Sequence, residues 1–373
     1  MARIDYLAFY RTLLERCAPE RLVRAAVDAS MPHDVVAIGK CAAPLLDGVA
    51  AVHDVRDAFL AIPAGYVGAA GLAPPIGDRE RPAGQAPPLQ RRREIHVGGH
   101  PEMTRASFDA GRALLDFVDA HRDILFLISG GGSACVEVAL PPHTEDEVIA
   151  LNHELIASGL SIGEINARRK DVSAIKGSKL GARVKGRAVT LVYSDVSRAK
   201  LDDVASGPTT PDLLIADNTT LVRTAATMLG FRAVILEEQI ENDVESAARE
   251  LLEHARTLRE GQVLVAGGEP TVMKRGNGRG GRCSELAVRF ARAAVQSGDT
   301  RFSAMFASSD GVDGNSGAAG IILQTIPNTF DQGEMERALD ASNSMEIAAQ
   351  LGEPIMIAPT GNNLRDLFLV ARD

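Results

Sequence analysis

Three consecutive glycines follow an apolar stretch in the first half of the chain. The stretch ends at Ile128, and the small residues after it are Ser129, Gly130, Gly131, Gly132 and Ser133. Glycines leave backbone N–H groups accessible, so such a loop can bind a phosphate or carboxylate group. A tight turn could contain similar residues, but it has no need of three glycines, which carry an entropy cost. We therefore predict that this loop binds an anion.

A lysine stands at the end of another apolar stretch. Gly39 and Lys40 follow Val35 to Ile38, and a lysine there can offset the charge of a phosphoryl group during its transfer. The surrounding residues do not form the GxxxxGK[ST] sequence of a Walker loop, and a lone lysine at a strand end is often only a solvated surface group. Lys40 by itself therefore indicates phosphate chemistry weakly.

A basic, glycine-rich segment occupies residues 274–282 and ends in Arg282. Its four cations are interspersed with four glycines, which makes it a candidate for binding polyphosphate; the alternative is a basic, solvated hairpin. It also satisfies GxGxxG, but no clear second strand ends in an acidic residue about 20 positions later, as a dinucleotide site requires. We predict a phosphate-binding segment followed by a helix from about Cys283 to Ala294.

Three carboxylates are candidates for metal or proton chemistry. Asp310 and Asp313 lie three residues apart in a glycine-rich loop, and Asp195 follows an apolar stretch. Carboxylates in such places can hold Mg²⁺ or accept a hydroxyl proton, although an aspartate-rich turn would have the same sequence. Asp195 and Asp310 are our candidates for metal binding.

Cations also open an amphipathic, helix-like segment near residue 168. Arg168, Arg169 and Lys170 follow one another there. Their charges could line a ligand site or form the solvated face of the helix. We select Arg168 and Lys170 as binding candidates.

The elements that position these residues form an α/β pattern. Short apolar stretches alternate with helix-like segments, as in folds with parallel sheets. Five of them run into polar loops: Val35–Ile38, Ile124–Ile128, Ala188–Tyr193, Val263–Ala266 and Phe302–Ala307. In a parallel sheet such loops meet at the carboxyl edge, where ligands bind. We predict two domains, residues 1–235 and 236–373, and a long flexible loop over about 66–94, which is rich in Gly, Pro and Arg.

Composition excludes several classes of function. A formal net charge of −9 argues against a nonspecific nucleic-acid surface. The four cysteines form no CxxC pair, which argues against a zinc site and a disulfide framework and fits reduced thiols in the cytosol. Because the chain contains neither a secretory signal nor about 18 uninterrupted apolar residues, we expect a cytoplasmic protein without a membrane span.

Read together, these segments resemble the glycerate 2-kinases that carry a C-terminal MOFRL domain. The resemblance runs from about Val35 to Leu369 and rests on eight motifs in family order: AIGKCA, GGHPEMT, ISGGGSA, INARRKDVSAIKGSKL, SDVSRAKLDDVASGPTTPD, GGEPTVMKRGNGRGGRCSEL, SSDGVDGNSGAAG and APTGNNLRDLFLV. It implies a Rossmann-like, parallel-sheet N-terminal domain, a smaller α/β C-terminal domain and an active site in the cleft between these two lobes. It also implies that ATP, with Mg²⁺, phosphorylates the 2-hydroxyl of D-glycerate to give 2-phosphoglycerate.

The same resemblance implies roles for particular residues. Lys40 and Arg282 would stabilise the transferring phosphoryl group. Asp195, Glu269 and Asp310 would bind metal, accept the proton or position the substrate. The loop from Ser129 to Ser133 would hold either the substrate carboxylate or a phosphate.

Several residues depart from the family pattern. Ser197, Arg198 and Ala199 follow SDV where the family usually has a Gly-Asp pair, and Arg282 is followed by Cys283 and Ser284 in place of two amides. Because such changes concentrate at the expected cleft, the acceptor could be a related small hydroxy acid. Two alternatives are a catalytically altered homologue that binds nucleotide or hydroxy acid, and an NAD(P)H-dependent hydroxypyruvate reductase.

Overall fold

The computed structural model describes residues 3–66, 92–160, 162–196 and 198–373. Nearly all of the loop predicted over 66–94 lies outside the described residues, as does Ser197. Within the described ranges, no helix is both long enough and apolar enough to cross a membrane.

The strands form two six-stranded sheets. In chain order they are β1 (Asp34–Ile38), β2 (Ala58–Pro63), β3 (Arg93–Gly98), β4 (Ile124–Ser129), β5 (Ala188–Tyr193), β6 (Leu213–Ala216), β7 (Ala233–Ile235), β8 (Val263–Gly268), β9 (Phe302–Ser308), β10 (Gly320–Leu323), β11 (Glu353–Pro354) and β12 (Asp366–Arg372). All five predicted apolar stretches are strands.

Helices connect most of the strands. They are α1 (Tyr6–Arg16), α2 (Pro19–Arg24), α3 (Ala42–Ala50), α4 (Arg105–Ala120), α5 (Gly132–Cys135), α6 (Glu145–Ala157), α7 (Ile162–Val172), α8 (Lys179–Arg183), α9 (Asn218–Leu229), α10 (Val244–Arg256), α11 (Arg282–Ser297), α12 (Gln332–Asp340) and α13 (Ser344–Leu351). Short 3₁₀ segments cover Arg198–Ser206 and Gly230–Arg232.

The chain divides into two compact units. The parallel-sheet unit is Ala18–Asp217, and the mixed-sheet unit combines Met1–Cys17 with Asn218–Asp373. Helix α1 belongs to the mixed-sheet unit, where the Tyr6 hydroxyl lies 3.2 Å from Ser303 Oγ. The division predicted from the sequence, into domains of residues 1–235 and 236–373, stays a prediction.

The parallel-sheet unit has the strand order β3-β2-β1-β4-β5-β6, with every neighbouring pair parallel. Strands β1, β2 and β4 are buried along their whole length. Continuous apolar sequence is expected for strands that helices cover on both faces. The predicted Rossmann-like arrangement of the first sheet is therefore confirmed.

The mixed-sheet unit has the order β11-β10-β9-β12-β8-β7. Strand β12 lies antiparallel between β8 and β9, so its first residue lies beside the last residues of both neighbours. A chain of contacting aromatic rings, Phe290, Phe302, Phe306 and Phe368, fills the core. This second α/β unit agrees with the predicted fold class.

Candidate functional site

The loops after β1 and β4 meet at the carboxyl edge of the parallel sheet. The two strands are neighbours, while β2 and β3 lie on the other side of β1. The connections therefore leave in opposite directions from this point, and open α/β sheets bind ligands in the crevice that results. The sequence-predicted loops at Lys40 and Ser129 both lie at this switch point.

Hydrogen bonds hold these two loops together. Lys40 N donates to Gly130 O at 2.9 Å, and Cys41 N donates to Ser129 Oγ at 3.0 Å. Gly39 has a φ of +111°, and a Cβ there would lie 2.3 Å from Ser129 O. Only glycine allows both this conformation and this close backbone approach. Gly39 is thus required for the close approach of the two loops.

The Lys40 side chain passes over the glycine loop. A Cβ at Gly131, whose φ is +82°, would lie 2.9 Å from Lys40 Cγ. Lys40 Nζ lies 4.9 Å from the centre of the Tyr66 ring, a distance at which a cation is attracted to the aromatic face. The lysine is therefore positioned beside the loop that the sequence predicts to bind an anion.

A cavity of about 220 Å³ opens beside this loop. Gly130, Gly131 and Ser133 form part of its wall, together with Asp195 and His100. Burial, and secondarily the positive charge of Lys40, lower the pKa of His100 to about 4. The imidazole is therefore neutral at pH 7. Of the carboxylates predicted from the sequence, Asp195 is the one that lines this cavity.

Arg169 lines the same cavity and is itself only 9% exposed. Its Nη2 donates to Asn152 Oδ1 at 2.8 Å, whereas its buried Nε has no hydrogen-bond partner among the described residues. Burial lowers the pKa of Arg169, an effect that the charge of Glu137 partly opposes. Beneath it, Glu137 forms a fully buried ion pair with Lys176.

Arg168 and Lys170, the two cations predicted to bind ligand, do not line the cavity that Arg169 lines. Lys170 Nζ donates to Asp203 Oδ1 at 2.7 Å, and Arg168 is exposed to solvent. Sequence reasoning selected Arg168 and passed over Arg169, although the helical period places Asn166 and Arg169 three residues apart on one face. Asn166 and Arg169 are the members of this helix that line the cavity.

The mixed-sheet unit contains a second cationic position at Arg282, the first residue of α11. Arg282 Nε lies 3.0 Å from Asp366 Oδ2, and Nη1 lies 3.0 Å from Glu269 Oε1. The charge of Asp366 is the largest cause of a raised pKa at Arg282. Arg282 is therefore already paired with two carboxylates, and Glu269 also lies 3.4 Å from Arg365 Nε.

Sequence reasoning missed Asp366. This residue begins β12, pairs in register with Gly268 and Ser308, and is 0% exposed. A carboxylate at the start of an otherwise apolar strand was the signal, because such a group needs a buried partner. It places a buried negative charge at the same sheet edge as the predicted Glu269.

The two aspartates predicted from the glycine-rich loop have different surroundings. Asp313 is buried and accepts from Cys283 N at 2.8 Å and from Ser284 N at 2.9 Å, so it caps the start of α11. Burial raises its pKa to about 6 despite these hydrogen bonds. Asp310 Oδ1 accepts from Ser308 Oγ and Val312 N, each at 2.9 Å, which orients its carboxylate within the turn.

The basic segment before α11 makes several contacts of its own. Arg275 pairs with Asp340 at 2.9 Å, and Arg279 Nη2 donates to Ser316 O at 2.7 Å. Two of its cations thus contact protein groups in addition to Arg282. Polyphosphate binding by this segment remains a prediction.

A separate cluster lies at the opposite, amino edge of the parallel sheet. Among the described residues, the ligand atoms of Asp34, Asp57 and His121 lie within 4.8 Å of one another. Asp34 is already paired with Arg56 at 2.8 Å. This cluster stands apart from the loops after β1 and β4.

Comparison with known proteins covers nearly the whole chain. Residues 5–253 match the family described as a domain of unknown function, DUF4147, and residues 262–366 match the MOFRL family. The chain is 30% identical over 332 residues to the D-glycerate 2-kinase of Thermotoga maritima, covering 74% of this chain and 79% of that protein. It is 29% identical over 321 residues to the glycerate 2-kinase of Sulfurisphaera tokodaii, with coverage of 74% and 79%.

A solved structure shows the same similarity. The crystal structure of the Thermotoga maritima glycerate kinase matches with a TM-score of 0.80 and 26% identity, covering 99% of this chain and 98% of that one.

Proposed function

We propose that this chain, which belongs to the glycerate 2-kinase family, transfers the γ-phosphoryl group of ATP to the 2-hydroxyl group of D-glycerate. The family identifies an alcohol-group kinase. ATP as donor, Mg²⁺ as its companion ion and the 2-hydroxyl as acceptor are our proposals. The product would be 2-phosphoglycerate.

The observation that carries this proposal is the arrangement of Lys40 over the glycine loop at the switch point. Phosphoryl transfer depends mainly on positioning and on neutralising charge, with little covalent work for the protein. Backbone N–H groups of a glycine loop and one lysine provide that combination. We assign Lys40 to the transferring phosphoryl group and the loop from Ser129 to Ser133 to an anionic group of a substrate.

Carboxylates provide the remaining chemistry. Asp195 faces the cavity beside the loop, where we propose that it accepts the hydroxyl proton or binds metal. In the mixed-sheet unit we propose Arg282 as a phosphate-binding cation, with Glu269 holding it in place, and Asp310 as a metal ligand. Asp313 would act indirectly, by capping the helix that begins with Arg282.

The residues present fit Mg²⁺ brought by a nucleotide. Mg²⁺ commonly binds through one or two carboxylates plus substrate phosphates, and the hydrogen bonds to Asp310 Oδ1 hold a hard oxygen ligand in a fixed orientation. When bound, the ion would neutralise phosphate charge. Asp195 and Asp310 are the side chains we propose for it.

The end of β2 disfavours the reductase alternative. In dinucleotide-binding folds of this strand order an acidic residue that follows the glycine motif by about 20 positions binds the ribose. Here β2 ends at Pro63 and continues with Ala64, Gly65 and Tyr66. Among the residues described at this strand end, no carboxylate is available to bind a ribose.

Release of ADP with D-glycerate and Mg²⁺ tests the proposal, and ³¹P NMR of the product identifies the phosphorylated oxygen. We expect 2-phosphoglycerate, and a loss of at least about 100-fold in kcat for Lys40→Ala, since removing one group that stabilises transition-state charge commonly costs that much. Lys185→Ala, at an exposed lysine of the same unit, is the matched control and should keep full activity.

Three outcomes would contradict the proposal in different ways. A 3-phosphoglycerate product would refute the assignment of the 2-hydroxyl. Stabilisation by ATP without turnover of any small hydroxy acid would favour the catalytically altered homologue. Quenching of NADH fluorescence on binding, with reduction of hydroxypyruvate, would favour the reductase.

A further inference from the structure

We infer that Arg169 is the residue that binds the carboxylate of the acceptor, and so selects 2-hydroxy acids over neutral alcohols. The inference rests on the proposed function, because it concerns the acceptor of that reaction. It concerns a residue that the sequence patterns did not select.

The first observation is the balance of buried charge around Arg169. Glu137 and Lys176 are both fully buried and pair with each other. Arg169 adds one positive charge to this group, and no described carboxylate forms an ion pair with it at 4 Å or less. A buried charge without a counterion is costly. These three buried side chains together therefore carry one excess positive charge, on Arg169 at the cavity wall.

The second observation is the state of the hydrogen-bonding groups. Asn152 is 1% exposed, and its Oδ1 accepts from Arg169 Nη2. The Arg169 Nε and the Asn152 Nδ2 are both buried without a partner among the described residues. Native proteins satisfy most such donors. Asn152 orients the guanidinium without neutralising it, which leaves the charge for a ligand.

The third observation is that Arg169 lines the cavity. Arg169 shares the cavity wall with Gly130, Gly131 and Asp195, so a ligand held by Arg169 would lie beside the loop assigned to phosphate chemistry. The cavity volume, about 220 Å³, is below the roughly 300–1,000 Å³ of drug-sized sites. A small carboxylic acid suits this space.

The contrast with Lys170 supports the same assignment. Lys170 follows Arg169 in the same helix but pairs with Asp203 at 2.7 Å. A guanidinium can bind both oxygens of a carboxylate at once, whereas an ammonium acts as a point charge. Arg169 therefore has the chemistry to orient an acceptor acid as well as to attract it.

Steady-state kinetics of two variants test the inference. Arg169→Gln removes the charge, and Asn152→Asp keeps the shape of the amide while giving Arg169 an internal counterion. We expect the KM for D-glycerate to rise at least about 30-fold in Arg169→Gln, since breaking a buried charge pair typically costs that much affinity. Asn152→Asp should raise the KM for D-glycerate at least about 10-fold and should also raise the Tm. In both variants the KM for ATP should stay within about threefold of the wild-type value.

The neutral isostere D-glyceramide separates carboxylate binding from a general structural role. In Arg169→Gln the ratio of kcat/KM for D-glyceramide to kcat/KM for D-glycerate should rise by at least about 30-fold relative to wild type. An equal loss for both acceptors, or an unchanged KM for D-glycerate in a folded variant, would overturn the inference. If Arg169→Gln does not fold, Asn152→Asp decides by the same KM criterion.

The control variant is Arg24→Gln, at an exposed arginine in the parallel-sheet unit, which should keep wild-type kinetics. Absence of turnover by the wild-type protein would refute the proposed function and the inference with it. Wild-type turnover with an unchanged KM in both variants would refute the inference alone.

Discussion

The two units treat a guanidinium in opposite ways. In the mixed-sheet unit Arg282 lies between Asp366 and Glu269, and its pKa is raised. In the parallel-sheet unit Arg169 is less exposed to solvent than Arg282, hydrogen-bonds a neutral amide, and has a lowered pKa. Two carboxylates hold Arg282 in place and balance its charge, whereas a neutral amide holds Arg169 and leaves its charge unbalanced.

Two titrating groups report the same difference. Burial is the larger cause in both, but the secondary charges differ in sign: Lys40 lowers the pKa of His100, and Asp366 raises the pKa of Asp313. The charge that shifts His100 is positive, and the charge that shifts Asp313 is negative. We therefore call the surroundings of His100 the cationic side of the comparison and those of Asp313 the anionic side.

Removing each guanidinium in turn tests the difference between Arg282 and Arg169 most directly. Arg282→Met should reduce the free energy of unfolding by about 3–5 kcal/mol, because it leaves the fully buried Asp366 without its partner. Arg169→Met should change it by less than about 1 kcal/mol, since losing one hydrogen bond is offset by removing an unpaired buried charge. Urea denaturation at pH 7 without ligand measures both, and equal losses would contradict the comparison.

The pH dependence of the free energy of unfolding tests the anionic side, through Asp313. Its folded pKa, about 6, exceeds the unfolded value of about 3.9, so the folded state binds this proton more tightly. The stability from the protonated form is complete below the unfolded pKa and is lost as pH rises through about 6. Asp313→Asn should lack this loss, which we expect to be roughly 2 kcal/mol between pH 4 and 7.

Urea denaturation at several pH values measures the Asp313 effect as a difference from wild type. Glu253→Gln, at an exposed carboxylate of the same unit, serves as the control. A difference between wild type and Asp313→Asn that stays constant with pH would show that Asp313 contributes only as a cap.

His100 gives the corresponding test on the cationic side. Its folded pKa, about 4, is below the unfolded value of about 6.5, so the neutral form is favoured on folding. The stability that the neutral imidazole contributes is complete above the unfolded pKa and is lost as pH falls through about 4. His100→Gln should remove roughly 2 kcal/mol of this loss between pH 7 and 5, whereas His254→Gln, at an exposed position, should leave it in place.

The strands and their polar loops could be predicted from sequence for a physical reason. Strands buried on both faces require continuous apolar runs, and glycines are required where Gly39 approaches Ser129. These signals are local. They identified the switch-point loops and Lys40 without knowledge of the strand order.

The partners of these residues could not be predicted in the same way. The pairing of Arg282 with Asp366 joins residues 84 positions apart, and the contact of Tyr6 with Ser303 joins residues 297 apart. The distinction between Arg168 and Arg169 depends on which face of α7 turns toward the cavity, which two adjacent arginines do not reveal. Asp313 caps the start of α11, and a capping aspartate in a glycine-rich loop has the same sequence context as one that binds a ligand.

Titration calorimetry of D-glycerate tests the central claim, that the parallel-sheet unit supplies an uncompensated cation for the acceptor carboxylate. A non-hydrolysable ATP analogue and Mg²⁺ are present throughout. We predict binding to wild type and to Arg24→Gln with equal affinity, and affinity at least about 30-fold weaker for Arg169→Gln. Wild-type affinity in Arg169→Gln would contradict the claim.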